Sequence, residues 1–163
     1  MMPTLTSTDL QEYLDSAGIQ AEILHLPSPT PTVEAAAQAV GVLPEQIVKS
    51  ILFLIDDQPV LAISCGGDHV ERRAIAALYS VGRKRVKLAS AEQVLAIAGY
   101  TAGAMPPFAH RQPLPTLLDQ RILANPTVYA GGGDIDALMR IAPNDILAAT
   151  HARVMDLVSA PAQ

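Results

Sequence analysis

Between Pro106 and Pro115 the chain sets four prolines in ten residues (Pro106, Pro107, Pro113, Pro115), behind glycines at Gly99 and Gly103 and around one imidazole, His110. Each proline fixes φ and removes a backbone donor, and each pushes the residue before it towards extended geometry. Neither a helix nor a central strand survives such a run, so any fold of this chain must contain a stiff, irregular loop of preset shape. Gly103, with no Cβ, lets another molecule approach the main chain closely. Two uses are open to such a loop: an outer connector, or the wall of a site.

The flanking sequence supplies regular structure. Ser7-Thr8-Asp9 precedes Leu10, Tyr13, Leu14 and Ala17 and predicts a capped amphipathic helix ended by Gly18. A short strand over 21–26 leads into alternating prolines at 27–31, and Thr32 caps a small packing helix over 33–40 that Gly41 terminates. Residues 46–55 and 60–65 are apolar and β-branched around the turn Asp56-Asp57-Gln58-Pro59, which predicts a buried hairpin. Helices are expected over 71–79, over 91–98 behind the Ser90 cap, and from Pro143; strands over 117–122, 127–130, 137–141 and 152–158; and a flexible turn at 131–134. Strands and helices alternate irregularly, which favours an α+β fold with a mixed, mostly antiparallel sheet. No repeat or linker divides residues 1–163, so one domain is expected.

Composition narrows the function. Half the residues are apolar, there is no Trp, and Phe and Tyr number two and four, too few rings for a base-stacking platform. A net charge of −5 argues against a general nucleic-acid binder, while leaving room for a few phosphate contacts. The Arg72/Arg73 pair and the 83–87 basic group (Arg83, Lys84, Arg85, Lys87) are the available phosphate-contacting surface; a solvated face is the plainer reading. The single Cys65 allows no internal disulfide and reads as a buried, inert thiol. His25, His69 and His151 have no metal-ligand spacing, so neither a metal nor a cofactor is expected. The N-terminus lacks the pattern of a secretory signal and no apolar run reaches membrane-spanning length, so a cytoplasmic location is expected.

Lys49 interrupts an apolar strand, where an ammonium is costly unless it reaches solvent or a partner. It is either snorkelling at the sheet edge or a fixed cation that grips a phosphate or polarises a carbonyl. His110 is a hydrogen-bond donor, a general base or a solvated loop residue. Gly66-Gly67 and Gly131-Gly132-Gly133 lack the P-loop and dinucleotide patterns, and fit turns or walls that a ligand approaches closely.

An ordered set of residues resembles the YbaK / prolyl-tRNA synthetase-associated aminoacyl-tRNA editing-domain family. The set comprises Val33-Glu-Ala-Ala-Ala, Gln46-Ile-Val-Lys49-Ser-Ile-Leu-Phe, Gly103-x-x-x-Pro107, Pro113-Leu-Pro-Thr116 with Asp119, and Val128-Tyr-Ala-Gly-Gly132. The resemblance covers roughly residues 24–158. It implies a curved, barrel-like sheet surrounded by helices, and a freestanding deacylase that hydrolyses mischarged tRNA in trans, often tRNA(Pro) carrying a small non-cognate amino acid. It places the family's strand lysine on Lys49 and its Gly-x-x-x-Pro loop on Gly103 and Pro107. Many relatives carry glycine two residues after that proline, where this chain has Ala109 followed by His110.

Ester hydrolysis on this framework needs an attacking water and a place for the oxyanion. Backbone N–H groups near Gly103 would hold the carbonyl, and Lys49 would bind the terminal phosphate or the oxyanion. The base would be the tRNA's ribose hydroxyl acting through water, or His110; the resemblance points to the former. Ile47, Ile51, Met105, Pro107, Phe108 and Ala109, with Gly131 and Gly132, would line the amino-acid pocket. The acceptor end of an aminoacyl-tRNA is then the expected partner, with a synthetase as a further one and the choice of monomer or homodimer open. A non-catalytic tRNA- or synthetase-binding module with the same fold is the alternative, and a small-nucleotide hydrolase or binder is a third reading.

Overall fold

The computed structural model describes residues 2–159. The chain runs α1 (Ser7–Ala17), β1 (Glu22–His25), α2 (Val33–Val40), β2 (Val48–Ile55), β3 (Gln58–Cys65), α3 (Arg72–Tyr79), β4 (Val86–Leu88), α4 (Ala91–Ala98), β5 (Thr116–Asp119), β6 (Val128–Gly131), β7 (Ala137–Ile141), α5 (Pro143–Thr150) and β8 (Arg153–Met155). Caps set the helix ends. The Thr6 and Ser90 side chains accept from backbone N–H groups in capping boxes, Thr32 accepts from the Ala35 N–H, and Gly18, Gly41 and Gly99 close their helices at positive φ.

The strands form two sheets, β1-β7-β6 and β4-β2-β3-β5-β8. Their pairs are antiparallel except β3–β5 and β5–β8, so the expected mixed, mostly antiparallel α+β architecture holds. The β2–β3 hairpin turns on Asp56 and Asp57, both left-handed (φ 49° and 68°), as a two-residue turn matched to strand twist requires. The two sheets meet at one parallel bridge, Ile47–Tyr129. Alternation along β2 distributes the core. Val48, Leu52 and Leu54 face the main cluster between the sheets with Leu61, Ile63 and Leu118, whereas Phe53 and Ile55 pack under α3 and Ile47 packs under α2.

Several elements differ from the sequence expectation, each for a local reason. The first hairpin strand starts at Val48 because Pro44–Gln46 forms a 3-10 turn. The basic group at 83–87 splits into a 3-10 turn (Arg83–Arg85) and the edge strand β4, since Val86 is fully buried under α3. The strand expected over 117–122 ends at Asp119, whose buried carboxylate accepts from the Arg121 N–H and caps a 3-10 turn (Gln120–Ala124). The same carboxylate accepts from the Leu157 N–H at 3.0 Å, holding the chain just beyond the short β8.

The expected flexible turn at 131–134 is instead closely packed. A Cβ on Gly131 would lie 2.2 Å from the Met105 carbonyl oxygen, one on Gly132 would lie 2.6 Å from the Ala137 carbonyl carbon, and one on Gly133 would lie 2.7 Å from the Ser7 nitrogen. Three successive glycines admit three different main-chain neighbours. Among the described residues, no helix is long and apolar enough to cross a membrane.

Candidate active site

Past the Ile47–Tyr129 bridge, β2 and β6 are not paired, and a pocket of about 230 Å³ opens in the seam. Lys49, Ser50 and Ile51 border it from β2, Gly131 from β6, and Gly103 and Met105 from the loop after α4. Val33 and Ala36 of α2, with its cap Thr32, close another side. Lys49 is exposed, falls between the apolar clusters under α2 and α3, and forms no ion pair among the described residues. Its cost within an apolar strand is thus relieved by water at the pocket mouth.

Gly103 takes φ +89°, which disfavours any side chain, and a Cβ there would meet nothing within 4 Å. The space over its Cα is open. The Ala104 N–H donates to the Thr101 carbonyl at 3.0 Å and the Gly133 N–H donates to the Ala104 carbonyl at 2.9 Å, so this end of the loop rests on the glycine triplet. The Gly103 N–H takes no partner among the described residues.

Residues 107–110 point elsewhere. Pro107, Phe108, Ala109 and His110 line a separate hollow of about 740 Å³ with Tyr13 of α1 and Ala149 of α5. The Phe108 ring packs on Tyr13 with centroids 5.3 Å apart. Ala109 holds φ +65°, a left-handed conformation that costs an alanine about 1–2 kcal/mol and a glycine nothing comparable. The glycine common at this place in the resembling family therefore has a backbone explanation. The strain is retained because the Ala109 carbonyl accepts from the Tyr100 hydroxyl at 2.9 Å and the half-buried His110 donates Nε2–H to the Pro106 carbonyl at 2.7 Å. Burial pulls the His110 pKa below its ordinary value, against the opposing effect of that hydrogen bond.

The basic residues are graded in distance from Lys49. The Arg72 guanidinium lies 6.0 Å from the Phe53 ring centroid, four residues along β2 from Lys49, or roughly 13 Å at strand rise. Arg83 and Lys84 lie beyond the far end of β2, where Val86 pairs with Ile55, and both are exposed, as is Arg73. Arg85 is engaged with Asp56. Cys65 is buried at the end of β3, and desolvation, aided by Asp119, pushes its thiol up to about 11. Burial and the raised pKa both disfavour the thiolate that a nucleophile needs. The contribution of α2 to the pocket was not visible in the sequence, where 33–40 reads as a packing helix.

Known proteins are similar to this chain in sequence and fold. The family model for the aminoacyl-tRNA editing domain matches residues 27–149, and the chain belongs to that family. A proline–tRNA ligase of Shouchella clausii is 32% identical over 103 residues, covering 63% of this chain and 18% of the ligase. One of Streptococcus equi subsp. equi is 26% identical over 151 residues, covering 90% of this chain and 24% of the ligase. The chain thus spans about a fifth to a quarter of these relatives. A crystal structure of "a putative trans-editing enzyme for prolyl tRNA synthetase" superposes with a TM-score of 0.87 at 34% identity, covering 94% of this chain and 96% of that one.

Proposed function

We propose that the chain is a trans-editing deacylase that hydrolyses the ester of mischarged tRNA, with tRNA(Pro) carrying a small non-cognate amino acid as substrate. The observation that carries this reading is the exposed Lys49, unpaired among the described residues, beside the open main chain of Gly103 in one small pocket. The aminoacyl group enters the seam between β2 and β6, and a volume of about 230 Å³ suits a small side chain against Ile47, Ile51 and Met105. Water adds to the ester carbonyl carbon, and the bond from that carbon to the ribose oxygen breaks. The amino acid leaves as a carboxylate and a proton, and the ribose keeps a hydroxyl.

The Lys49 ammonium balances the developing oxyanion or the terminal phosphate, and the Gly103 N–H donates to the carbonyl oxygen. The ribose hydroxyl of the terminal nucleotide is the favoured activator of the water. His110 borders the other hollow and its Nε2–H is committed to Pro106, which suits a loop anchor. Arg72 and Arg73 would meet phosphates near the 3′ end and Arg83 and Lys84 more distant ones, at a cost in affinity that rises with salt. Similarity to a putative trans-editing enzyme for prolyl tRNA synthetase supports action outside a synthetase, with a synthetase as a delivering partner.

The test is to incubate the protein with tRNA(Pro) charged separately with Ala, Cys, Ser, Thr and Pro. One or more small non-cognate esters should disappear and the prolyl ester should persist. Lys49→Ala should lose the activity while remaining folded. Tight tRNA binding with no deacylation across the panel would instead identify a non-catalytic binding module.

A further inference from the structure

Along the edge of β2 that borders the pocket, one residue falls outside every ladder and bridge of the sheets. The register identifies it. The Gly66 N–H donates to the Ile47 carbonyl, so Ile47 and the alternate residues Lys49, Ile51, Phe53 and Ile55 direct their backbone groups to β3. Val48, Ser50, Leu52 and Leu54 therefore direct theirs to the opposite edge. The ladder with β4 covers only residues 53–55, and the Ala89 N–H extends it to the Leu52 carbonyl. At the other end, Val48 abuts the Ile47–Tyr129 bridge. Ser50 alone falls in the gap.

The facing strand shows the same lapse. The Gly132 N–H donates to the Ala137 carbonyl, so Tyr129 and Gly131 direct their backbone groups towards β2. Tyr129 meets Ile47, but Gly131 has no bridge to β2, and the Met105 carbonyl lies where its Cβ would be. Ser50 also carries the one buried side-chain polar atom without a partner among the described residues, its Oγ. Buried polar groups are ordinarily satisfied, so an edge outside any ladder that also carries an orphan hydroxyl, bordering a pocket, marks a place where polar atoms are supplied from outside.

We infer that the Ser50 N–H is a donor to the ester carbonyl oxygen of the bound aminoacyl group, completing with the Gly103 N–H a two-donor cradle for the oxyanion. This rests on the deacylase reading and deepens it. The donor is main chain, so no side-chain pattern announces it.

Ser50→Pro removes the N–H at an edge position where no ladder bond depends on it. Its kcat should fall about 10²–10³-fold, as for loss of one oxyanion donor. Ser50→Ala keeps the N–H and should retain at least thirtyfold more activity than Ser50→Pro. Equal activity of the two folded variants would overturn the inference.

A measurement on the unaltered protein guards against misfolding of the proline variant: ¹⁵N-resolved amide spectra during titration with a non-hydrolysable 3′-amide analogue of alanyl-adenosine. The Ser50 amide should shift downfield and its hydrogen exchange slow at least tenfold. If Gly103 and Lys49 respond while Ser50 does not, the inference fails and the deacylase reading stands. If no pocket resonance responds, both fail.

Discussion

Gly103 and Met105 at one end of the proline-rich loop border an open pocket beside the exposed Lys49, whereas residues 107–110 at the other end are tied down by Tyr100 and by His110 itself. One loop therefore serves two purposes. Its first part leaves open space over Gly103 at the pocket. Its second part has two of its carbonyls, those of Pro106 and Ala109, held by side chains, and it absorbs the strain of Ala109. Nearness in sequence to Gly103 is thus a poor guide to which pocket a residue borders: Pro107 and His110 both line the hollow that Lys49 does not.

The sharpest break of this comparison pairs Lys49 with His110. Lys49→Ala should lower deacylation at least about 10²-fold with little change in stability, because an exposed cation stabilises charge in the transition state more than it stabilises the fold. His110→Ala should do the reverse, costing about 1–3 kcal/mol for the unpaired Pro106 carbonyl and less than tenfold in kcat. Chemical denaturation and single-turnover deacylation on both variants check this. A full loss of activity in folded His110→Ala would return that histidine to the chemistry.

Gly131→Ala tests the contact between the two parts. Its Cβ would overlap the Met105 carbonyl, which belongs to rigid main chain, so destabilisation of about 3 kcal/mol is expected from thermal unfolding, with loss of the pocket. Ala109→Gly should stabilise the protein by about 1 kcal/mol, since relief of the left-handed strain exceeds the added entropy of the unfolded chain.

The smallest effect is one of pH. The pKa of His110 is lowered on folding, so the unfolded chain binds more protons as the pH falls through the ordinary imidazole value near 6.5. Stability from this group is full above that value and declines below it. The melting temperature should fall between pH 7.5 and 5.5, and His110→Gln should flatten the decline.

The helix boundaries were legible because caps are local: Thr32 and Gly41, or Ser90 and Gly99, set their ends through neighbouring backbone groups. Lys49 and Gly103 were legible as candidates because each breaks a local rule, a charge in an apolar strand and a glycine ahead of prolines. The short strands β4 and β8 were less clear, since three residues carry little pattern and their pairing comes from distant neighbours. The glycine triplet misled for a related reason. Nothing within 131–133 names the Met105, Ala137 and Ser7 main chains that lie against it.

The proline-rich loop that most restricts this chain was thus determined by sequence in its stiffness and its lack of regular structure, because proline acts on its own φ and on the residue before it. Its division into a pocket wall and a strained anchor was decided only by tertiary structure. So was the unladdered edge at Ser50. Both depend on where β6, α1 and α5 come to lie, and contacts between residues far apart in the chain leave no mark in local residue preferences.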